Sequence, residues 1–447
     1  MEELQYLKEL VSIKSISSDK LMASESRKAA DLIKSRLESL GCEVQIVENE
    51  IKENNPILLG RLGNDDNKKT IVFYSHYDVQ PAAKDDGWET EPFEFVEKAD
   101  GYVYARGVSD DKGPIVAAFF AVKSLVDAGE LPVNIRFLYE GEEESSSGGF
   151  EETVTKHKAF FGKVDGLIIL DTGWFGENTP TLDYGTRGIA YTEITVSGPT
   201  SDQHSGFGGS IREPLHDLIH LLSKLTTPDR EILIPHFHDK VRPLNDEEKK
   251  LYEGIEFDLD KFVDNIGADI LLSRDSKKLL MDMWRYPSLS YHGIQGAFSG
   301  SGGKTVIPAK VSGKVSMRLV PDQDPSEIFS HFKAYVVSEF EKLKSPNKIQ
   351  VELLGKGDWW FSDFNNFLTN AAKAAIEDYW KKSPMMARSG GSIPVIPFME
   401  KLFEAPAIGI GVGQDSDGAH SQNEHLRVSN LLGAKEVIAR TLQKLKS

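Results

Sequence analysis

Residues 70–78 read TIVFYSHYD. The first six form a near-continuous run of strand-favouring residues with no polar alternation. A strand of that kind is buried on both faces, as in the parallel sheets of α/β proteins. The run ends on His76, Tyr77 and Asp78. The same design recurs along the chain. Residues 134–139 lead into Glu140-Gly141-Glu142-Glu143-Glu144, and 166–170 lead into Asp171. Residues 407–411 lead into a polar loop with Asp415, Asp417 and His420. Residues 102–114, YVYARGVSDDKGP, place Asp110 and Asp111 ahead of an apolar helix at 115–128. In such sheets ligands bind beyond the carboxyl ends of the strands. The acidic residues and histidines stand at those ends, so the pattern predicts one site on an α/β fold, a mostly parallel sheet covered by helices.

Working outward, 2–40 reads as two amphipathic helices closed by Gly41. Short strands follow at 43–48 and 56–62, and a last helix spans 431–445. The middle has another rhythm. From Gly188 apolar and polar residues alternate, a helix covers 213–225, and a polar stretch without assigned elements runs to about 291. A strand at 311–320, a helix at 325–344 and a strand at 348–353 complete an α+β pattern. The expected organisation is a discontinuous catalytic domain, 1–186 and 357–447, with an inserted lid and dimerisation domain at 187–356.

The chain has 447 residues, 52 basic against 69 acidic, and a net charge of −17. That balance argues against a nucleic-acid partner. No apolar run is long enough for a membrane span, and the amphipathic pattern of the first residues leads one to expect no signal peptide. The one cysteine, Cys42, suits a reducing compartment and a buried apolar role. The expectation is a soluble cytoplasmic protein.

Each candidate also has an ordinary explanation. Asp110, Asp111 and Asp171 are placed to cap helices. Residues 142–144 read as a solvated charge run. His420 is a loop histidine. Their coincidence at successive strand ends favours chemistry: mixed imidazole and carboxylate ligands suit zinc, manganese or cobalt. The set is large for one catalytic zinc and suits two metals sharing a carboxylate.

The stretches SHYDVQP (75–81), RGVSDDKGP (106–114), EGEEES (140–145), LDTGW (170–174), DQHSGFGG (202–209), HGIQGAFSGSGGKTVIPAKVSGKVSMRLVPDQ (292–323), GGSIP (390–394) and DGAHSQNE (417–424) together resemble the aminoacylase–carnosinase family of dinuclear metallopeptidases, and within it the cytosolic non-specific dipeptidase branch. The resemblance implies two divalent metals per chain, zinc or manganese with cobalt possible. His76 and Asp171 would hold one, Glu144 and His420 the other, and Asp110 would bridge them. Glu143 would be the general base, with Asp78 orienting His76. His204 would stabilise the oxyanion from the partner subunit of a homodimer, along with Thr305. Arg318 and the loop of Gly391 and Ser392 would bind the carboxylate of a dipeptide. A cis peptide bond is implied between Asp110 and Asp111. The acidic run leaves a competing register, with Glu142 as base and Glu143 as ligand. Ser145-Ser146-Ser147 departs from the glycine-containing pair of the family. An N-acyl- or N-succinyl-amino-acid deacylase is the rival activity. A catalytically inactive binding or scaffold protein is the rival of another class.

Overall fold

The computed structural model describes every residue except Glu177, Ala268, Asp269 and Ser447. The chain divides into two compact units. The first comprises Met1–Tyr184, Ser362–Ala387 and Val395–Ser447, and the second Gly185–Phe361 and Arg388–Pro394. Residues 388–394, expected in the first unit, pack with the second, because Arg187 hydrogen-bonds Gly390 and Gly391 there.

In the first unit the strands run in the order Glu43–Val47, Ile57–Leu62, Asn134–Glu140, Thr70–His76, Gly166–Ile169, Ala407–Ile410, Thr181–Thr186. Asn134–Glu140, Thr70–His76, Gly166–Ile169 and Ala407–Ile410 are mutually parallel neighbours. The flanking pairs are antiparallel. The short link between Glu43–Val47 and Ile57–Leu62 explains one flank: it permits a hairpin-like return and has no room for a crossover helix. Thr70–His76 and Asn134–Glu140 are buried at every residue, as two covered faces require. Helix Lys112–Asp127 packs on Thr70–His76 and on helices Glu2–Val11 and Val428–Lys444. Phe150 meets Tyr74 edge-on, and Phe161 meets Phe403. Away from this sheet, Tyr102–Tyr104 pairs antiparallel with His425–Arg427.

The second unit has a four-stranded antiparallel sheet in the order Ser288–Gln295, Lys310–Leu319, Gly188–Ser197, Lys348–Gly357. Burial alternates along the first half of Gly188–Ser197. Helices Pro214–Ser223 and Pro325–Lys342 supply Leu218, Leu221, Phe332 and Val336 to a core shared with Ile194, Val315 and Met317. Among the described residues, the polar stretch left unassigned in the sequence contains three helices, Asp246–Gly254, Leu259–Ile266 and Ser276–Trp284. Each begins with a side-chain cap, from Asn245, Asp258 and Asp275 respectively. Asn or Asp ahead of a charged first turn was the available signal.

Among the described residues no helix is long and apolar enough to cross a membrane.

Candidate metal centre

Four parallel strands end together, and their ends deliver the site. Thr70–His76 carries His76 as its last residue, and Asn134–Glu140 leads into the turn holding Glu143 and Glu144. Gly166–Ile169 leads to Asp171, and Ala407–Ile410 to the loop with His420. Asp110 arrives from the loop after Tyr102–Tyr104, and its peptide bond to Asp111 is cis.

Two triads result, each with its ligand atoms mutually within 4.8 Å: His76, Asp110 and Asp171, and Asp110, Glu144 and His420. Asp110 belongs to both. Its Oδ1 lies 2.9 Å from His76 Nε2 and its Oδ2 lies 2.9 Å from His420 Nε2. Glu144 Oε2 is 3.0 Å from His420 Nε2. Asp171 Oδ1 is 3.9 Å from His76 Nε2.

The electrostatics are those of a cation site. Burial pushes the Glu143 carboxyl well above its usual range, and Asp171, Asp110 and Glu144 push the same way against His76. Burial likewise raises Asp171 to about 7 despite the pull of His76. Burial would raise Asp110 too, but hydrogen bonds with His420 and His76 outweigh it and hold that carboxyl low. The partly buried carboxylates of Asp110, Asp171 and Glu144, facing two imidazoles, form a donor set that divalent cations satisfy, with both charge and donor type matched.

The environment separates the three consecutive glutamates. Glu142 turns from the cluster: its Oε1 accepts from the Asn55 amide at 2.7 Å and lies 3.4 Å from Lys20 Nζ. Glu144 joins a triad, where Gln80 donates to it at 2.8 Å. Asp78 is fully buried, and its carboxylate accepts from the Glu143 and Glu144 amides at 3.2 and 3.1 Å. His76 Nδ1 sits 3.1 Å from the Asp78 carbonyl oxygen and 3.4 Å from its carboxylate. Asp78 therefore ties His76 and the glutamate turn together. Asp111 occupies a helix N-cap position without capping: its carboxylate accepts from the Ser75 hydroxyl and the His76 amide.

The remaining candidates lie in the second unit and fall into two groups. His204 pairs with Val306 in a two-residue ladder, the Ser205 amide donates to Thr305, and both His204 and Thr305 are exposed. His204 Nδ1 accepts from the Gly206 amide at 2.9 Å, and Nε2 has no hydrogen-bond partner among the described residues. Arg318 donates to the Ser392 hydroxyl at 2.6 Å, and Ser392 donates to the Arg187 carbonyl at 2.5 Å. The Arg187 amide in turn donates to Gly391 at 2.9 Å.

Reading the sequence missed Arg187, Gln80 and Glu424. Arg187 holds the Gly390–Gly391 backbone, and burial lowers its guanidinium to about 10. Glu424 receives four hydrogen bonds from the Asp110 loop. Glu424 ends the quoted DGAHSQNE stretch, and a carboxylate inside such a stretch was the signal.

A model of peptidase family M20/M25/M40 matches residues 72–444. The Cys-Gly metallodipeptidase DUG1 of Candida albicans is 44% identical over 444 residues, covering 96% of this chain and 91% of that protein. Human Beta-Ala-His dipeptidase is 37% identical over 451 residues, covering 98% of this chain and 89% of that protein. Among solved structures, the di-peptidase Dug1p of Saccharomyces cerevisiae matches with a TM-score of 0.90 and 38% identity, covering 100% of this chain and 96% of that one. Family model, full-length relatives and fold agree, and the chain belongs to peptidase family M20/M25/M40.

Proposed function

We propose that this chain is a metal-dependent dipeptidase whose centre holds two divalent cations, zinc or manganese, bridged by Asp110. The observation that carries the reading is the division of one carboxylate between two ligand triads, with the partly buried Glu143, its carboxyl pushed well above the usual range, alongside. His76 and Asp171 would hold one cation, and Glu144 and His420 the other. When bound, such cations supply Lewis acidity that brings the ionisation of water toward neutral pH and polarises a peptide carbonyl. Glu143 accepts the water's proton and delivers it to the leaving amine. Asp78 keeps His76 Nε2 and the Glu143 turn aimed inward through the contacts above. Arg318, hydrogen-bonded to Ser392, pairs with the terminal carboxylate of the dipeptide together with the loop of Gly391 and Ser392. His204 and Thr305, on the second unit, meet the developing oxyanion from the partner subunit of a homodimer. The second unit then serves as lid and dimerisation domain, and the buried thiol of Cys42 suits a cytoplasmic location.

The relatives act, by their names, on Cys-Gly and on β-Ala-His. The test is turnover of a dipeptide panel, with N-acyl amino acids in parallel, by protein stripped of metal and reloaded with zinc, manganese or cobalt. Dipeptide cleavage restored by reloading supports the reading. Preference for N-acyl substrates would make it a deacylase, and stoichiometric metal without any turnover would make it a binding protein.

A further inference from the structure

We propose that Glu424 is a positioning residue that fixes how Asp110 is divided between the two ligand triads; this rests on the metal-centre reading above. Glu424 is completely buried. Its Oε1 accepts from the Ser109 and Asp110 amides at 2.9 and 3.1 Å. Its Oε2 accepts from the Gly107 amide at 2.9 Å and from Arg106 Nη1 at 2.8 Å. Four donors on one carboxylate use both oxygens, and one donor is the amide of the bridging residue itself. Arg106 balances the charge, is buried, and lies over the Trp88 ring with its guanidinium carbon 5.3 Å from the centroid.

The topology explains why Glu424 reaches this loop. Glu424 directly precedes strand His425–Arg427, and the Asp110 loop directly follows Tyr102–Tyr104. The two strands pair antiparallel, His425 opposite Tyr104 and Arg427 opposite Tyr102. Continuing that register places Glu424 beside the start of the loop. The segment also carries His420, four residues earlier, which contacts Asp110 Oδ2. His420 and Asn423 adopt left-handed backbone, with φ of 62° and 59°. Between them the chain reverses, so one side chain reaches Asp110 through its carboxylate and the other through its backbone. A second clasp reinforces the first: Asp417 Oδ2 accepts from the Ser109 hydroxyl at 3.1 Å and from the Gln414 amide at 2.9 Å. A backbone amide held on a fixed acceptor removes freedom from the side chain one bond away. A bridging ligand has to keep two distances at once, so it is the ligand whose placement tolerates least error.

The test uses the purified chain stripped of metal and titrated with zinc against a competing chelating dye. Wild type should take up two zinc per chain. In Glu424→Gln the amide keeps one acceptor oxygen and turns an NH2 group toward two donors. Apparent zinc affinity should fall about 10- to 100-fold, in line with other outer-shell partners of metal ligands. The turnover number should fall with it, while KM for a dipeptide changes less than about twofold, because the substrate-binding groups are untouched. Glu424→Asp keeps the charge against Arg106 but stops one methylene short of the Asp110 amide. It should fold and show an intermediate loss of affinity. Lower thermal stability of the metal-free variants with unchanged zinc affinity would overturn the proposal, leaving Glu424 a packing residue. Failure of both variants to fold would overturn it equally. Wild type that binds no zinc would instead sink the metal-centre reading itself.

Discussion

Asp110 and His204 are held in opposite ways. Asp110 lies in a loop whose amides are fixed by a fully buried carboxylate, and both its own oxygens are engaged by imidazoles. His204 is exposed, kept by one hydrogen bond from Gly206 and a two-residue ladder. The first arrangement is complete within its own unit. The second is open: Nε2 has no hydrogen-bond partner among the described residues. A ligand cluster gains from over-determination, because metal affinity depends on several distances together. A group that must meet a substrate arriving from outside gains from accessibility.

The largest expected effect lies in the over-determined region. Glu143→Ala should lower turnover by about 10⁴-fold, at the upper end for general acid–base catalysis, with metal content preserved by elemental analysis. Glu142→Ala should cost less than about tenfold, since its carboxylate serves the Asn55 amide and Lys20. The reverse order would restore the competing register. His204→Ala should cost about 10²- to 10³-fold, the usual worth of an oxyanion donor. Mixing it with Glu143→Ala sharpens the contrast: subunit exchange should restore activity toward about half of wild type per mixed dimer, because one site then has neither defect. Exchange without recovery would place His204 in its own chain's site or outside the reaction.

Two smaller effects probe the fold around these regions. Asp275 caps helix Ser276–Trp284 by accepting from the Lys277 and Lys278 amides at 3.0 and 3.2 Å. Asp275→Ala should destabilise that helix by about 1 kcal/mol, read as faster hydrogen exchange there, with turnover unchanged. Burial pushes the Cys42 thiol up to about 12. A raised thiol pKa means less thiolate at pH 8 than in an unfolded chain, where it is about 8.5. Native protein should react slowly with a thiol reagent at pH 8 and rapidly after denaturation. The same shift favours the folded state below pH 8.5 and is lost as pH rises toward 12.

Much of this was legible in the sequence because buried parallel strands announce themselves. The run 70–75 has an unbroken apolar centre, Ile71–Tyr74, so where it ends and which side chain follows are both visible, and His76 and Asp171 stood out on that basis. Glu144 was harder. Three identical side chains in a row carry no register, and contacts far off in sequence, Glu142 with Asn55 and Glu144 with His420 and Gln80, separate them. His204, Thr305 and Arg318 had no local signature; resemblance alone singled them out. The helices between residues 246 and 284 went unread although they carried marks: each has an Asn or Asp cap, and Leu259, Phe262, Val263 and Ile266 fall on one helical face. Glu424 escaped for a different reason. A carboxylate that binds backbone amides works through topology, and strand pairing between residues 102–104 and 425–427 is invisible in one dimension.

That pairing sets an order on the birth of the molecule. Arg106 and Glu424 are 318 positions apart in the chain. At about 10 residues per second, a ribosome needs roughly half a minute between making one and making the other. Throughout that interval the nascent chain displays Asp110 on an unfastened loop, and His420 does not yet exist. Strands Thr70–His76, Asn134–Glu140 and Gly166–Ile169 can already associate, yet the loop they must receive waits for the last tens of residues. The triad of Asp110, Glu144 and His420 and the Glu424 clasp are therefore the last parts of the site to form, and an interrupted translation product can bring together only His76, Asp110 and Asp171.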